Sequence, residues 1–140
     1  MSPAESREGV VVREAGAVDG GAIRELLREL HGDAASAATL PVVRQEARTF
    51  VAADGDDVVG VVVATFVDYG HEPYGMVEEL VVAPGRRTGG VGTALLGECR
   101  QWLAGLGADV VFVSAVSDEV AEFYLAAGFQ RCVGPWLWAG

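Results

Sequence analysis

The sequence predicts a mixed α/β (α+β) domain, with strands in excess and helices laid on the faces of a sheet. Three patterns carry that prediction. Val58 to Val67 is a valine-rich apolar run. It is far shorter than the about 20 residues of a membrane helix and rich in β-branched side chains, so it reads as a strand. Thr49 to Ala53 precedes it across the turn Asp54-Gly55-Asp56-Asp57, and the two form a hairpin pattern. Ile23, Leu26, Leu27 and Leu30 recur at the i, i+3, i+4, i+7 spacing of a helix that Gly32 ends.

The remaining elements follow in order. Met1 to Glu8 is charged and lacks an apolar core, so residues 1–8 read as a disordered tail and 9–140 as one domain. Val10 to Arg13 is a first strand, and Asp19 is placed to cap the first helix. Residues 33–48 are alanine-rich and read as a second helix. Tyr69 to Tyr74 is a loop, and Met76 to Val82 a fourth strand. A helix from Gly90 to Ala104 buries Val91, Ala94, Leu95, Cys99, Trp102 and Leu103. Gly97 inside it costs about 1 kcal/mol against alanine, which suggests close packing. Val110 to Val113 is a fifth strand, Asp118 to Ala127 a short helix that Gly128 terminates, and Phe129 to Trp138 a final strand interrupted at Gly134-Pro135. Trp136 and Trp138 alternate on that strand, which suggests core packing first and a dimer surface second.

Of the 140 residues 51% are apolar, which excludes a disordered chain. The formal net charge of -10 and a pI near 4.5 argue against nonspecific nucleic-acid or acidic-membrane binding and favour, if anything, a cationic partner. Cys99 and Cys132 lack metal or redox spacing and read as core thiols in a reducing, cytoplasmic setting, with no metal expected.

The stretch Arg86-Arg87-Thr88-Gly89-Gly90-Val91-Gly92 lies between a strand and a helix. A helix N-terminus offers backbone N–H groups without intrahelical partners and a partial positive charge, which together attract anions. Glycines let a bulky diphosphate reach the backbone, and Arg86 and Arg87 add charge. Two other phosphate loops fit less well. Val91-Gly92 stands where a P-loop needs Lys and Ser/Thr, and Leu95 stands where the dinucleotide fingerprint needs its third glycine.

Arg87-x-x-Gly90-x-Gly92 resembles the Gln/Arg-x-x-Gly-x-Gly/Ala signature of the GNAT superfamily of N-acetyltransferases. Leu80-x-Val82-x-Pro84 before it is similar to that family's fourth strand and its exit. Phe123-Tyr124-Leu125-Ala126-Ala127-Gly128-Phe129 resembles the family's second signature, an aromatic-Tyr-x-x-x-Gly-Phe helix end. The likeness spans about Val10 to Trp138. It departs at Ser117, where many members have asparagine, and at Val120, where many have alanine.

The resemblance implies the GNAT fold, a mixed, mostly antiparallel sheet of about six to seven strands flanked by about four helices and splayed between strands 4 and 5. It implies acetyl-CoA as cosubstrate, transfer of an acetyl group to a primary amine by direct attack in a ternary complex, and no metal. Arg87, Thr88, Gly89, Gly90, Val91, Gly92 and Thr93 would hold the pyrophosphate, and Leu80, Val81, Val82 and Ser117 the pantetheine arm. Tyr124 falls at the general acid's place, and Glu78 or Glu79 would take the ammonium proton through water. The fourth strand often bulges in this family, so alternation does not choose between the two glutamates. His71 and Glu72 lie in the preceding loop, with an exposed histidine of no function the simpler reading, and Ala34 to Pro41 would line the acceptor site.

The acceptor would be a small-molecule or peptide amine; a homodimer is compatible, and neither nucleic acid nor membrane is expected. The rival readings are a non-catalytic acyl-CoA-binding or sensing domain of the same fold, a nucleotide-binding module of another fold, and a plain interaction domain.

Overall fold

The computed structural model describes residues 4–5, 9–32 and 43–140. Ala4–Glu5 (β1) pairs antiparallel with Val11–Val12 (β2) in a small separate ladder. Helix α1 spans Gly20–His31. Strands β3 (Arg44–Asp54), β4 (Asp57–Asp68), β5 (Tyr74–Val82) and β6 (Val110–Val113) form one sheet in that order. Helices α2 (Val91–Leu106) and α3 (Asp118–Ala126) flank β6 in sequence. The first three strands are antiparallel neighbours, and β6 joins β5 in parallel.

This is the mixed sheet the sequence predicts, but a smaller one. Among the described residues the main sheet has four strands, not six to seven, and there are three α-helices, not four. Arg44 to Arg48, expected to be helical, belong to β3; the rest of the alanine-rich stretch, including Ala34 to Pro41, lies outside the described residues. Residues 129–140 form no strand. Pro135 lacks a backbone N–H and so cannot donate to a ladder at that position. Trp136 and Trp138 are accordingly 62% and 91% exposed and are not core residues, and Cys132 is exposed while Cys99 is buried.

The core lies between the sheet and α2. Even-numbered residues of β4 (Val62, Ala64, Phe66) face it, as does Val77 of β5, and Leu95, Leu96, Cys99 and Leu103 of α2 close it. Gly75 allows α2 to approach β5: a Cβ there would stand 2.6 Å from a Leu103 methyl group. Gly97 has no such reason, since a Cβ at that position meets nothing within 4 Å. Gly97→Ala is therefore expected to raise stability by about 0.5–1 kcal/mol, read as a higher urea midpoint at unchanged slope; a loss of stability would mean that the glycine is required.

Helix α1 differs from expectation in two ways. Leu26 and Leu30 on its apolar stripe are 67% and 74% exposed. The helix directly follows the one-turn 3-10 segment Ala17–Asp19, and its last residue, His31, stacks on His71. Asp19 occupies the N-cap position without a side-chain cap bond. Its carboxylate accepts two hydrogen bonds from Arg13 at 2.9 Å and one from the Gly16 amide at 2.8 Å. The Arg13 guanidinium, then the Gly16 N–H, hold that carboxyl well below the usual carboxylate range.

Candidate active site

The register places an opening beside β5. Pairing with β6 runs from Tyr74↔Val110 to Val77↔Val113 and stops there, while β5 continues to Val82. Leu80, Val81 and Val82 thus have β4 on one side and no β6 partner on the other. This is a splay between the third and fourth strands of the sheet, located by where the parallel ladder ends.

A bulge sits at its start. Glu79 pairs with Val63 and Val77 with Ala64, which leaves Glu78 extra on β5. The bulge breaks the alternation, so Glu78 and Glu79 are both exposed. The Thr65 hydroxyl donates to Glu78 Oε2 at 2.8 Å. Thr65 is a polar interruption in the valine-rich run of β4, the one feature of the sequence there that points to this contact. Glu79 instead lies close enough to Tyr124 for its charge to act on the phenol.

At the far end of β5, Gly90 takes the left-handed conformation (φ 80°) that glycine alone adopts readily, and α2 begins after it without a side-chain cap. The first intrahelical bond of α2 is Ala94 N–H to Gly90 O at 3.0 Å. Among the described residues, the amides of Gly90, Val91, Gly92 and Thr93 have no protein acceptor, whereas Gly89 donates to Arg86 O at 3.4 Å. The space in front of Gly90 is open: a Cβ there meets nothing within 4 Å. A Cβ on Gly92 would rest against Phe123 at 3.5 Å and Val82 at 3.6 Å.

The two arginines diverge. Arg86 pairs with Asp54 of the β3–β4 hairpin at 2.5 Å, both side chains being exposed. Arg87 donates its Nε–H to Val82 O at 3.2 Å. Asp54, the partner of Arg86, lies far from it in sequence.

Tyr124 comes from α3. Ser117 caps that helix, its hydroxyl accepting from the Val120 amide at 3.2 Å, with Asp118 and Glu119 in the first turn where the dipole favours them. The helix ends in a Schellman-type cap. Gly128 (φ 99°) donates to Leu125 O, and the Phe129 amide donates to Tyr124 O at 3.0 Å. The Tyr-x-x-x-Gly-Phe pattern is thus a helix stop that places Phe129 edge-on to Tyr124, with ring centroids 5.4 Å apart. Arg100 of α2 seals it, donating to Ala127 O at 3.0 Å and covering the Phe129 ring at 5.0 Å.

Tyr124 is only 6% exposed, and among the described residues its hydroxyl has no hydrogen-bond partner in the protein. Burial pushes the phenol pKa up, and Cys99 and Glu79 add to the shift. With Ser117, it borders a cavity of about 1360 Å³ beside β6 that does not extend to the glycine loop. His71 stacks on His31 with ring centroids 3.5 Å apart, at the start of β5 and remote along that strand from the loop at its end. Among the described residues no cluster of three or more His, Cys, Asp or Glu is placed to hold a metal, and no helix is long and apolar enough to cross a membrane.

A splayed strand pair, a bulge and a glycine turn opening a helix define an acyltransferase-type α/β fold. Residues 21–129 match the model of the acetyltransferase (GNAT) family, and the chain belongs to that family. No curated protein sequence matches it significantly. Similar solved structures include a putative acetyltransferase from Agrobacterium tumefaciens, 20% identical, covering 91% of this chain and 98% of that one at a TM-score of 0.59. A transcriptional regulator from Bacillus halodurans is 18% identical over 67% of this chain and 66% of its own, at a TM-score of 0.59. An aminoglycoside acetyltransferase from an uncultured soil metagenomic sample, solved with sisomicin, is 22% identical over 66% and 65%, at 0.57. AAC(6')-Iy, solved with the bisubstrate analog CoA-S-monomethyl-acetylneamine, is 19% identical over 67% and 69%, at 0.58. The matched part thus covers just under two thirds of the regulator and of the metagenomic enzyme. At these identities the likeness is one of fold.

Proposed function

We propose that the chain is an acetyl-CoA-dependent N-acetyltransferase acting on a primary amine by direct attack in a ternary complex. One observation carries the reading: among the described residues the amides at the mouth of α2 have no protein acceptor, at the end of a strand whose β6 side is unpaired. Tyr124, whose phenol burial keeps protonated and which feels the charge of Glu79 on that strand, supports it. A CoA conjugate in a neighbour of the same fold supports it.

In this reading the amides of residues 90–93, with Arg87, Thr88 and Gly89, receive the diphosphate. The unpaired side of Leu80–Val82 receives the pantetheine arm, and the Ser117 hydroxyl keeps a proton to donate to it. A backbone N–H of β5 polarises the thioester carbonyl; such a donor is worth about 2.7–4 kcal/mol. Glu78, held by Thr65, or Glu79, beside Tyr124, takes the ammonium proton through water. The free amine then attacks, the C–N bond forms, the C–S bond breaks and Tyr124 protonates the departing thiolate; the extra proton on the new amide nitrogen passes through water to the tyrosinate and restores the acid. The aminoglycoside acetyltransferases among the neighbours and the charge of -10 favour a small cationic amine as acceptor.

The test is release of free thiol from acetyl-CoA across a panel of polyamines, aminoglycosides and peptides. CoA affinity is measured alongside, in the wild type and in Gly90→Leu. Thiol release with at least one amine is expected, together with a CoA affinity at least about tenfold weaker in the variant, because the left-handed turn is lost and a side chain enters the anion's space. CoA binding without transfer to any amine would favour the sensing domain, a reading to which the regulator of like fold lends weight. Undiminished affinity in Gly90→Leu would remove the loop from the site.

A further inference from the structure

Thr65 sits where a strand needs no hydroxyl. Val62, Ala64 and Phe66 of β4 face α2, so Thr65 projects from the other face of the sheet. Its same-face neighbours along the strand are Val63 and Val67, and its partners across the two ladders are Ala47 of β3 and Met76 of β5. Valine would fill the position with the same shape and suits a strand equally well. Among the described residues the hydroxyl has one partner, Glu78 Oε2 at 2.8 Å. That bond is what threonine adds here and valine does not. The bulge brings it about. Val77 is buried and Leu80 packs against the core, so the extra residue leaves both intervening glutamates exposed.

We infer that Thr65 is a positioning residue: its hydroxyl holds the bulged Glu78 carboxylate so that Oε1 takes the ammonium proton through water, and this pair, not Glu79, supplies the base. The inference rests on the N-acetyltransferase reading. A base must stay within hydrogen-bond reach of the proton it takes, whereas an exposed glutamate spreads over many rotamers. Thr65 restrains Glu78 by a bond to a charged acceptor, and Oε1 keeps its lone pairs for a water. Among the described residues no protein donor holds the Glu79 carboxylate in the same way. The water passes one proton to Oε1 as it receives one from the ammonium, and the Glu78 carboxylic acid releases its proton to solvent before the next turnover. Thr65 keeps its own proton throughout and acts only through Glu78.

Free-thiol kinetics with acetyl-CoA and the best amine of the panel test this. Thr65→Val is expected to lower kcat about 10–100-fold, the worth of one hydrogen bond to a charged group, with the KM for acetyl-CoA unchanged. Thr65→Ser, which keeps the hydroxyl, should recover most of that loss. The loss should vanish when Glu78→Gln is already present and persist in full beside Glu79→Gln, because residues that act as a unit are not additive. Valine fits the strand, so Thr65→Val should fold as the wild type does, and a purely structural effect would not depend on which glutamate is replaced. Wild-type turnover in Thr65→Val, an equal loss in the Glu78→Gln background, or no recovery in Thr65→Ser would overturn the inference while leaving the N-acetyltransferase reading intact. Absence of thiol release by the wild type with every amine would remove that reading and the inference with it.

Discussion

Tyr124→Phe is expected to lower kcat by about 10²–10⁴-fold while leaving CoA affinity unchanged, the range of a single general acid. The variant isolates the proton. The ring keeps its edge contacts with Phe123 (5.1 Å) and Phe129 (5.4 Å), and the lost hydroxyl has no protein partner among the described residues. Neither the fold nor the glycine loop should respond. The pH dependence has a definite sign. Burial first, then Cys99 and Glu79, raise the phenol pKa, so the acid stays protonated through neutral pH, and any alkaline limb it causes in kcat lies above the ordinary tyrosine range near about 10. The native state also holds this proton more tightly than the unfolded chain does. Its contribution to stability is full below the ordinary tyrosine pKa and declines as pH rises through the raised value, and Tyr124→Phe should remove that decline. Wild-type turnover in the variant would take Tyr124 out of the mechanism.

The second large effect lies where α2 meets β5. Leu103 is fully buried, and its Cδ atoms stand 2.6 and 2.7 Å from the position of a Cβ on Gly75. Leu103→Ala should cost about 2–5 kcal/mol through lost burial and a residual cavity. Gly75→Ala should cost about 1–3 kcal/mol by overpacking, because both elements are pinned by their neighbours. The double variant should cost less than the sum, since the new methyl enters space the leucine has left. Urea unfolding of the four proteins closes the cycle. Additive costs would mean that this contact does not set the distance between helix and sheet.

The parts of the site legible in the sequence are those built by local chemistry. Gly90 and Gly92 before an amphipathic run mark a helix start with open amides, and that is what stands there. Tyr124 to Phe129 reads as a helix end because the Schellman-type bond joins residues five apart. The β3–β4 hairpin follows from the turn Asp54-Gly55-Asp56-Asp57 between a short strand-like run and a valine-rich one. What the sequence left open depends on distant partners. Arg86 looks like a phosphate ligand until Asp54 is seen across the hairpin, and Gly97 looks like a packing glycine until the space beside it proves empty. Trp136 and Trp138 alternate as strand residues do, yet alternation does not supply a ladder to join.

By itself, then, the sequence determined the β3–β4 hairpin, the order of elements from β3 to α3, the glycine turn that opens α2, and the aromatic helix end that carries Tyr124. Each is decided within a few residues by φ preference, capping and periodicity. Only the tertiary structure decided where β5 and β6 part company, which glutamate bulges out beside Thr65, and that residues 129–140 remain outside the sheet. Those outcomes are set by register and by competition for one sheet edge, and both depend on contacts between segments far apart in the chain.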